Sequence, residues 1–383
     1  MLVQTCGSVR LGSGKYEKLL RKVQIMFVGG EFYYDQSWQS DKPTLSTEKM
    51  VFLNGGRACL AIIGDCLVDR GIQKILLPSY LCPSILDALE RCGLAYEFFQ
   101  INEDLSINLD DLSQKVSSSK AVYFINYFGF LNPSKVRGFL KGLRNDGIVV
   151  VEDNAQAWFT DHPTGDFIFN SLRKLVPYDG GYLVTDLDIT PYLSKYRDRP
   201  KRRLPLIREY RQRLSDYLIA GIGSYKKLAG LYSRADRYYE TDLIVEGDPG
   251  EQQQIERLDW EGIRRIRREN YHYMLGLIAP IPEINPIYPD LQPNNMPLGL
   301  PVYINGVSRD AIYEHLGENG IGLFIHWEEL RHDPRTSGNT LAVSMASRIL
   351  TLATDQRTSR EQMDYLAEKL IVGIKKAKSR CGL

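Results

Sequence analysis

The sequence predicts an α/β protein: a three-layer α/β/α unit with a mostly parallel sheet, followed by a smaller C-terminal α+β unit. Two observations carry this expectation. From about residue 44 to 185, short apolar β-rich runs alternate with amphipathic helical patterns, as strands buried on both faces and joined by crossover helices must. A Pro-rich stretch at 279–301 then leads into a second, shorter set of strands and helices. A length of 383 residues supports a sizeable core, and the units are placed at 1–245 and 246–383.

The Gly-Gly turn in LNGGRACLAIIGDCLVDRG (53–71) opens a helix with Ala58, Leu60, Ala61, Ile62 and Leu67 as apolar positions. KILLP (74–78) reads as a short buried strand, and CPSILDALERCG (82–93) as a helix closed by Gly93. AYEFFQI, NLDDLSQKV, AVYFINY, PSKVRGFLKGLRNDG and GIVVVED continue the alternation to Asp153, and GGYLVT (180–185) is a further β-like run. Residues 186–275 are rich in Arg, Lys and Tyr with helical spacing. The helix WEGIRRIRRENYHYMLGLI (260–278) has Trp260, Ile263, Ile266 and Tyr271 as apolar positions. The last unit reads as strand LPVYI, helix SRDAIYEHLGENG, strand GLFIHW and a helix over about Ser359–Lys378.

Composition narrows the function classes. A net charge of +1 gives no overall field for nucleic acid or an anionic membrane, so neither is expected as a partner. Arg264, Arg265, Arg267 and Arg268 form either a phosphate patch or, as such runs more often do, a solvated helix face. Cys6, Cys59, Cys66, Cys82, Cys92 and Cys381 lack metal-ligand spacing, as do the five His, so no metal site is expected. The cysteines read as free thiols in a reducing cytoplasm. The N-terminus lacks an apolar signal region, and the longest apolar runs are too short to span a bilayer.

In parallel α/β sheets, ligands bind beyond the carboxyl ends of the strands. That rule points to Pro78–Tyr80, Asn126–Gly129 and Asp153–Gln156. Asp153 is either a helix N-cap or a carboxylate that holds a positive charge on a ligand. Gln156, three residues on, fits a capping partner equally well. NGGRA (54–58) is a plain turn or, through its backbone N–H groups and the helix dipole, a phosphate cradle. Lys174 is by default a solvated charge and only rarely a desolvated nucleophile. His326, after the apolar GLFI, is the histidine whose placement suggests a pocket, with a satisfied structural role as the alternative.

Taken in order, these motifs resemble the DegT/DnrJ/StrS-type sugar aminotransferases, pyridoxal 5'-phosphate (PLP) enzymes of fold type I in the aspartate aminotransferase superfamily. The order is a Gly-rich turn, PSY, INYFG, VEDNAQA, then Lys and GGYLVT. The resemblance spans about residues 28–375 and includes GGEFYYD, RRENY, SRDAIYEHLGENGIGLFIHW and ASRILTLATDQRTSREQM.

The resemblance implies roles position by position. Asp153 would pair with the pyridinium nitrogen of PLP and keep the ring an electron sink, and Gln156 would contact the ring near its phenolic oxygen. Gly56 and Arg57 match the phosphate-binding turn, with Ser171 a further phosphate contact. Lys174 would form the Schiff base and later move a proton between substrate carbon and cofactor. Tyr80 would take over ring stacking, because the usual aromatic position aligns with Cys82. Tyr33, Arg309, His326 and Trp327 are candidates for the substrate pocket. The family commonly has Ser five residues before the lysine and Gly-Gly seven after it. Here Ser171 is three before Lys174 and Gly180 six after, so a strict count back from Gly180 falls on Arg173. Arg173 cannot form a Schiff base, and Lys174 is retained. The implied reaction is transfer of an amino group from Glu or Gln to a keto-sugar linked to a nucleotide, by a cytoplasmic homodimer. The alternatives are a non-catalytic fold type I binding protein and a PLP enzyme of another type, such as a sugar dehydratase.

Overall fold

The computed structural model describes residues 2–4, 9–11, 26–158, 163–197 and 199–381. Strand β1 (Val28–Gly29) precedes β2 (Val51–Leu53) and helix α1 (Gly56–Asp69). There follow β3 (Lys74–Pro78), α2 (Pro83–Arg91), β4 (Ala95–Phe99), α3 (Leu109–Lys115), β5 (Ala121–Ile125), α4 (Ser134–Asn145) and β6 (Val149–Asn154). Then come β7 (Phe167–Asn170) and β8 (Gly181–Val184). Seven of these strands form one sheet in the order β2-β8-β7-β6-β5-β3-β4. β8 pairs antiparallel with both neighbours and alone runs against the rest.

The expected alternation is borne out for a physical reason. Every side chain of AVYFI is buried, as in a strand covered on both faces. Helix α1 is buried from Gly56 to Leu67 except at Arg57, because it packs on the sheet and on α2 at once. One expectation changes here. Asp153 is not an N-cap: it lies inside β6, whose ladder with β7 runs to Asn154.

The Arg- and Tyr-rich segment folds as helices α5 (Thr190–Ser194), α6 (Arg203–Ala220), α7 (Tyr225–Thr241), α8 (Pro249–Glu256) and α9 (Trp260–Ile278). α6 and α7 form a hairpin with its own core of Ile207, Tyr210, Leu214, Leu228, Leu231 and Tyr232. Gly221 closes α6 with φ 69°, a left-handed conformation that glycine adopts freely. A buried ion cluster ties the hairpin to the loop after β7. Arg203 and Arg211 of α6 both pair with Asp179, and Glu251 of α8 accepts the Asp179 N–H at 2.7 Å and pairs with Arg208.

The arginines of α9 act mainly as staples. Arg267 is fully buried, and Arg264 and Arg268 donate to the carbonyls of Pro293 and of Gln292 and Asn295. Arg265 pairs with Glu269 on the solvent side.

The C-terminal unit has a three-stranded antiparallel sheet of β9 (Ile284–Pro286), β10 (Leu300–Ile304) and β12 (Ile349–Leu352). Around it lie α10 (Arg309–Glu318), α11 (Thr340–Arg348) and α12 (Arg360–Cys381). GLFIHW is not the strand expected. Only β11 (Ile321–Gly322) is regular, and it pairs in parallel with β1 from the start of the chain. A Cβ on Gly29 would lie 2.4 Å from the Gly322 carbonyl, so glycine is required for this approach. One apolar core runs from Leu76, Val122 and Val150 of the large sheet to Val302, Leu350 and Leu366 of the second unit.

Candidate active site

A cavity lies at the carboxyl ends of β6 and β7. Gly56, Arg57, Asp153, Gln156, Ser171, Lys174, His326 and Trp327 all line it. Eight of the eleven residues singled out from the sequence thus meet at one place, although they come from four separated stretches of chain.

Asp153 projects from β6 on the same face as Val151, which stands opposite Tyr123 in the ladder. The Tyr123 hydroxyl therefore reaches the carboxylate and donates to Oδ2, while the Ala155 N–H donates to Oδ1 at 2.6 Å. Burial raises the pKa of Asp153 above the usual carboxylate range; the Lys174 charge, the Tyr123 hydroxyl and the Ala155 N–H offset part of this. Burial also holds the Tyr123 phenol well above its ordinary value, so it acts as a donor. A buried carboxylate supported in this way is matched to a cationic N–H on a ligand.

Lys174 ends a short 3-10 turn, Leu172–Lys174, directly after β7 and Ser171. It is half-buried, and its amine makes no hydrogen bond or ion pair among the described residues. Its charge still acts on Asp153 and on His326. His326 is buried, with Nδ1 3.0 Å from Thr351 Oγ1 and Phe128 set edge-on at 5.1 Å. Burial, with Lys174 adding to it, lowers the His326 pKa to about 3, so the imidazole is neutral.

Gln156 accepts the Phe128 N–H at 3.0 Å through Oε1, which supports a left-handed Phe128 (φ 54°). Its Nε2 is buried with no partner, a donor available to a ligand. At the start of α1, a Cβ on Gly55 would lie 3.5 Å from Ser171 Oγ, so that hydroxyl faces the Gly-Gly turn. Turn and hydroxyl together suit an anion.

Three residues are elsewhere. Tyr80 is fully buried behind the wall; its hydroxyl donates to the His326 carbonyl and its ring packs on Trp327 at 5.1 Å. Cys82 lines the cavity in its stead. Tyr33 lies beside Arg357, outside the lining. Arg309 is buried at the start of α10, paired with Asp310 and Glu328 and donating to the Ile349 carbonyl at 3.0 Å. Of the other positions at strand ends, Asn126 joins a buried network with Glu152, Asn154 and Asn132, not the cavity. Sequence reasoning missed Asp236 and Tyr239 of α7, which line the cavity, and assigned no role to Arg173, which does so too. Among the described residues, no His, Cys, Asp or Glu cluster is placed to hold a metal, and no helix is long and apolar enough to cross a membrane.

No protein-family model matches the sequence, and no curated protein matches it. Solved structures do match. The putative sugar aminotransferase Spr1654 from Streptococcus pneumoniae, in its PMP form, aligns over 93% of this chain and 100% of its own, with 14% identity and a TM-score of 0.62. A DegT DnrJ EryC1 StrS aminotransferase from Brucella abortus covers 85% of this chain and 86% of its own, with 16% identity and a TM-score of 0.58. GDP-4-keto-6-deoxymannose-3-dehydratase (ColD) with bound GDP-perosamine covers 84% and 88%, with 21% identity and a TM-score of 0.60. Over most of its length, at low sequence identity, this chain has the fold type I architecture of the DegT/DnrJ/EryC1/StrS sugar aminotransferases.

Proposed function

We propose that the chain is a PLP-dependent enzyme that transfers an amino group from glutamate or glutamine to a keto-sugar carried on a nucleotide. The observation that supports this best is the meeting of Lys174 and Asp153 in one cavity, each within the field of the other's charge. The residues present fit the cofactor. Asp153 is a buried carboxylate suited to a protonated ring nitrogen, the unpartnered Gln156 Nε2 suits the ring's phenolic oxygen, and the Gly55–Gly56 turn with Ser171 suits the phosphate. Cys82, where relatives commonly stack an aromatic, leaves that face of the ring to other wall residues.

When bound, PLP supplies an electron sink that weakens the bonds beside the substrate nitrogen. The chain does the rest. Asp153 keeps the proton on the ring nitrogen. Lys174 is the only lysine among the described residues of the lining, so its Nζ is the nucleophile and, once free, the proton carrier. Phe324, Ile325 and Trp327 keep water from the reacting atoms. A cytoplasmic homodimer is the setting the resemblance implies.

Incubation with PLP should give a visible absorption band, and borohydride should then fix the cofactor on the peptide containing Lys174. A Lys174→Ala variant that still gave a reducible adduct would remove Lys174 from this role. Failure of the wild-type chain to take up PLP would favour a non-catalytic binding protein. A second reading, sugar dehydration, draws on the presence of His326 in the same cavity, although burial makes that imidazole a weak base. Formation of 2-oxoglutarate from glutamate and a keto-sugar nucleotide separates the two.

A further inference from the structure

His326 enters the cavity from the segment that follows β11, and its ring is fixed from several sides. Phe324 and Thr351 of β12 form an antiparallel bridge, with the Thr351 N–H on the Phe324 carbonyl at 3.3 Å. From the other side the Tyr80 hydroxyl donates to the His326 carbonyl. The imidazole lies among Phe128, Trp327 and Phe324, whose ring centres are 5.1, 5.8 and 6.2 Å away. Its Nδ1 is 3.0 Å from Thr351 Oγ1. The Thr351 methyl packs on Gly299, where an added Cβ would lie 2.6 Å from Cγ2, and this contact aims the hydroxyl at the ring. These contacts decide the tautomer. Thr351 is buried, and among the described residues Nδ1 is the one acceptor that its hydroxyl meets. If Nδ1 carried the ring proton, it would donate to the hydroxyl, whose own proton would then be buried without an acceptor. In the satisfied arrangement Thr351 donates to Nδ1, so the proton of the neutral ring sits on Nε2. Nε2 itself makes no hydrogen bond among the described residues.

We infer that His326 is a catalytic hydrogen-bond donor whose Nε2–H meets the carbonyl oxygen of the ketone that accepts the amino group, with Thr351 as its positioning residue. The inference rests on the proposed amino transfer, whose acceptor is a ketone. Lys174 has to reach the reacting carbon to move its proton, and His326 stands within the field of that amine. The oxygen borne by the same carbon is the acceptor this donor serves. A donor aimed there draws electron density from the carbon and readies it for attack by an amine. The low dielectric of a wall lined with aromatic rings strengthens the effect. Beside a lysine the ring has to be neutral, since an imidazolium would repel the ammonium. Burial and Lys174 hold it so, and the lining carboxylates Glu31, Asp153 and Asp236 do not restore the charge. His326 keeps its proton throughout, so no bond of the ring forms or breaks. Proton removal in the dehydration reading needs a bare Nε2, which is the opposite tautomer.

Two measurements test this. The first is nitrogen NMR on the cofactor-free full chain with isotope-labelled histidine, the His326 ring being assigned by its loss in His326→Phe. At neutral pH the ring should carry its proton on Nε2 and leave Nδ1 bare. A proton on Nδ1, or on both nitrogens, would overturn the inference. The second loads the chain with pyridoxamine 5'-phosphate and follows a single turnover with 2-oxoglutarate, the ketone formed from glutamate in the proposed reaction. His326→Phe should be slower by about a hundredfold or more, the loss expected of one such donor, while taking up as much PLP as wild type. Thr351→Val should be slower by roughly tenfold, and Thr351→Ser should restore the rate. Val keeps the methyl packing and Ser keeps the hydroxyl, so a purely structural role predicts the opposite order. A wild-type rate in His326→Phe with an unchanged unfolding midpoint would overturn the inference. If that variant does not fold, the Thr351 pair decides, and Ser no faster than Val overturns it. If the wild-type chain takes up no cofactor, the amino-transfer reading fails and the carbonyl role falls with it. If cofactor binds and the ring holds the other tautomer, that reading stands and this inference alone fails.

Discussion

Arg267 offers a sharp test of how the lysine loop is held. Its buried guanidinium donates to Gln356 Oε1 at 2.8 Å and to the carbonyls of Pro297, Leu298 and Leu175 at 2.9, 3.0 and 3.1 Å. Leu175 follows Lys174 and has a second donor in Gln356 Nε2 at 2.9 Å. In Arg267→Met, two effects oppose each other. Burial lowers the arginine pKa to about 10, with Asp355 acting the other way, so removing the charge returns about 3 kcal/mol at roughly 1.4 kcal/mol per unit. The Pro297 and Leu298 carbonyls and Gln356 Oε1 lose their donor, at about 1–3 kcal/mol each, or roughly 6 kcal/mol together. The loss exceeds the gain, and the variant should be less stable by about 3 kcal/mol. Urea unfolding with an unchanged m-value measures this directly. A variant as stable as wild type would show that burying the charge costs more than its hydrogen bonds return. Amide exchange around Leu175 should speed up in the variant, because one of that carbonyl's two donors is gone.

Two further outcomes are expected. His326 titrates at 6.5 when unfolded and at about 3 when folded, so between these values the unfolded chain binds the extra proton and stability is lost as pH falls. From about pH 7 to about pH 5 the cofactor-free wild type should lose ~2 kcal/mol more than His326→Gln, by chemical unfolding at the two pH values; equal losses would mean that the imidazole is not held neutral. Gly29 and Gly30 both have positive φ, at 68° and 74°, but only Gly29 meets backbone, the Gly322 carbonyl at 2.4 Å. Gly30→Ala should therefore cost about 1–2 kcal/mol, and Gly29→Ala clearly more, measured as melting-temperature shifts; equal shifts would place the cost in the backbone conformation alone.

Much of the large sheet is legible because a strand buried on both faces must be apolar throughout, as AVYFI is. The meeting of Asp153, Gln156 and Lys174 follows from the same pattern, since each stands at or just beyond the end of a parallel strand. Strand β12 is less legible: its four residues follow α11 without a turn signal, and its role depends on β10, some fifty positions earlier. Arg267 had a signal that its neighbours hid. It lies on the buried stripe of Ile263, Asn270, Tyr271 and Met274, whereas Arg264, Arg265 and Arg268 fall off it.

Tyr239 had no local signal at all. Its hairpin is amphipathic for its own core, so helical spacing explains Leu228, Leu231 and Tyr232 without reference to any cavity. What brings Tyr239 to Lys174 is the ion cluster of Asp179, Arg203, Arg211 and Glu251, drawn from the loop after β7, α6 and α8. A charged residue in such a cluster reads, one position at a time, as a solvated charge. Only the joint placement of all four shows that the hairpin and the lysine loop are held as one piece. On this view, a change at Asp179 reaches the cavity twice, through the loop that carries Lys174 and through the helix that carries Tyr239.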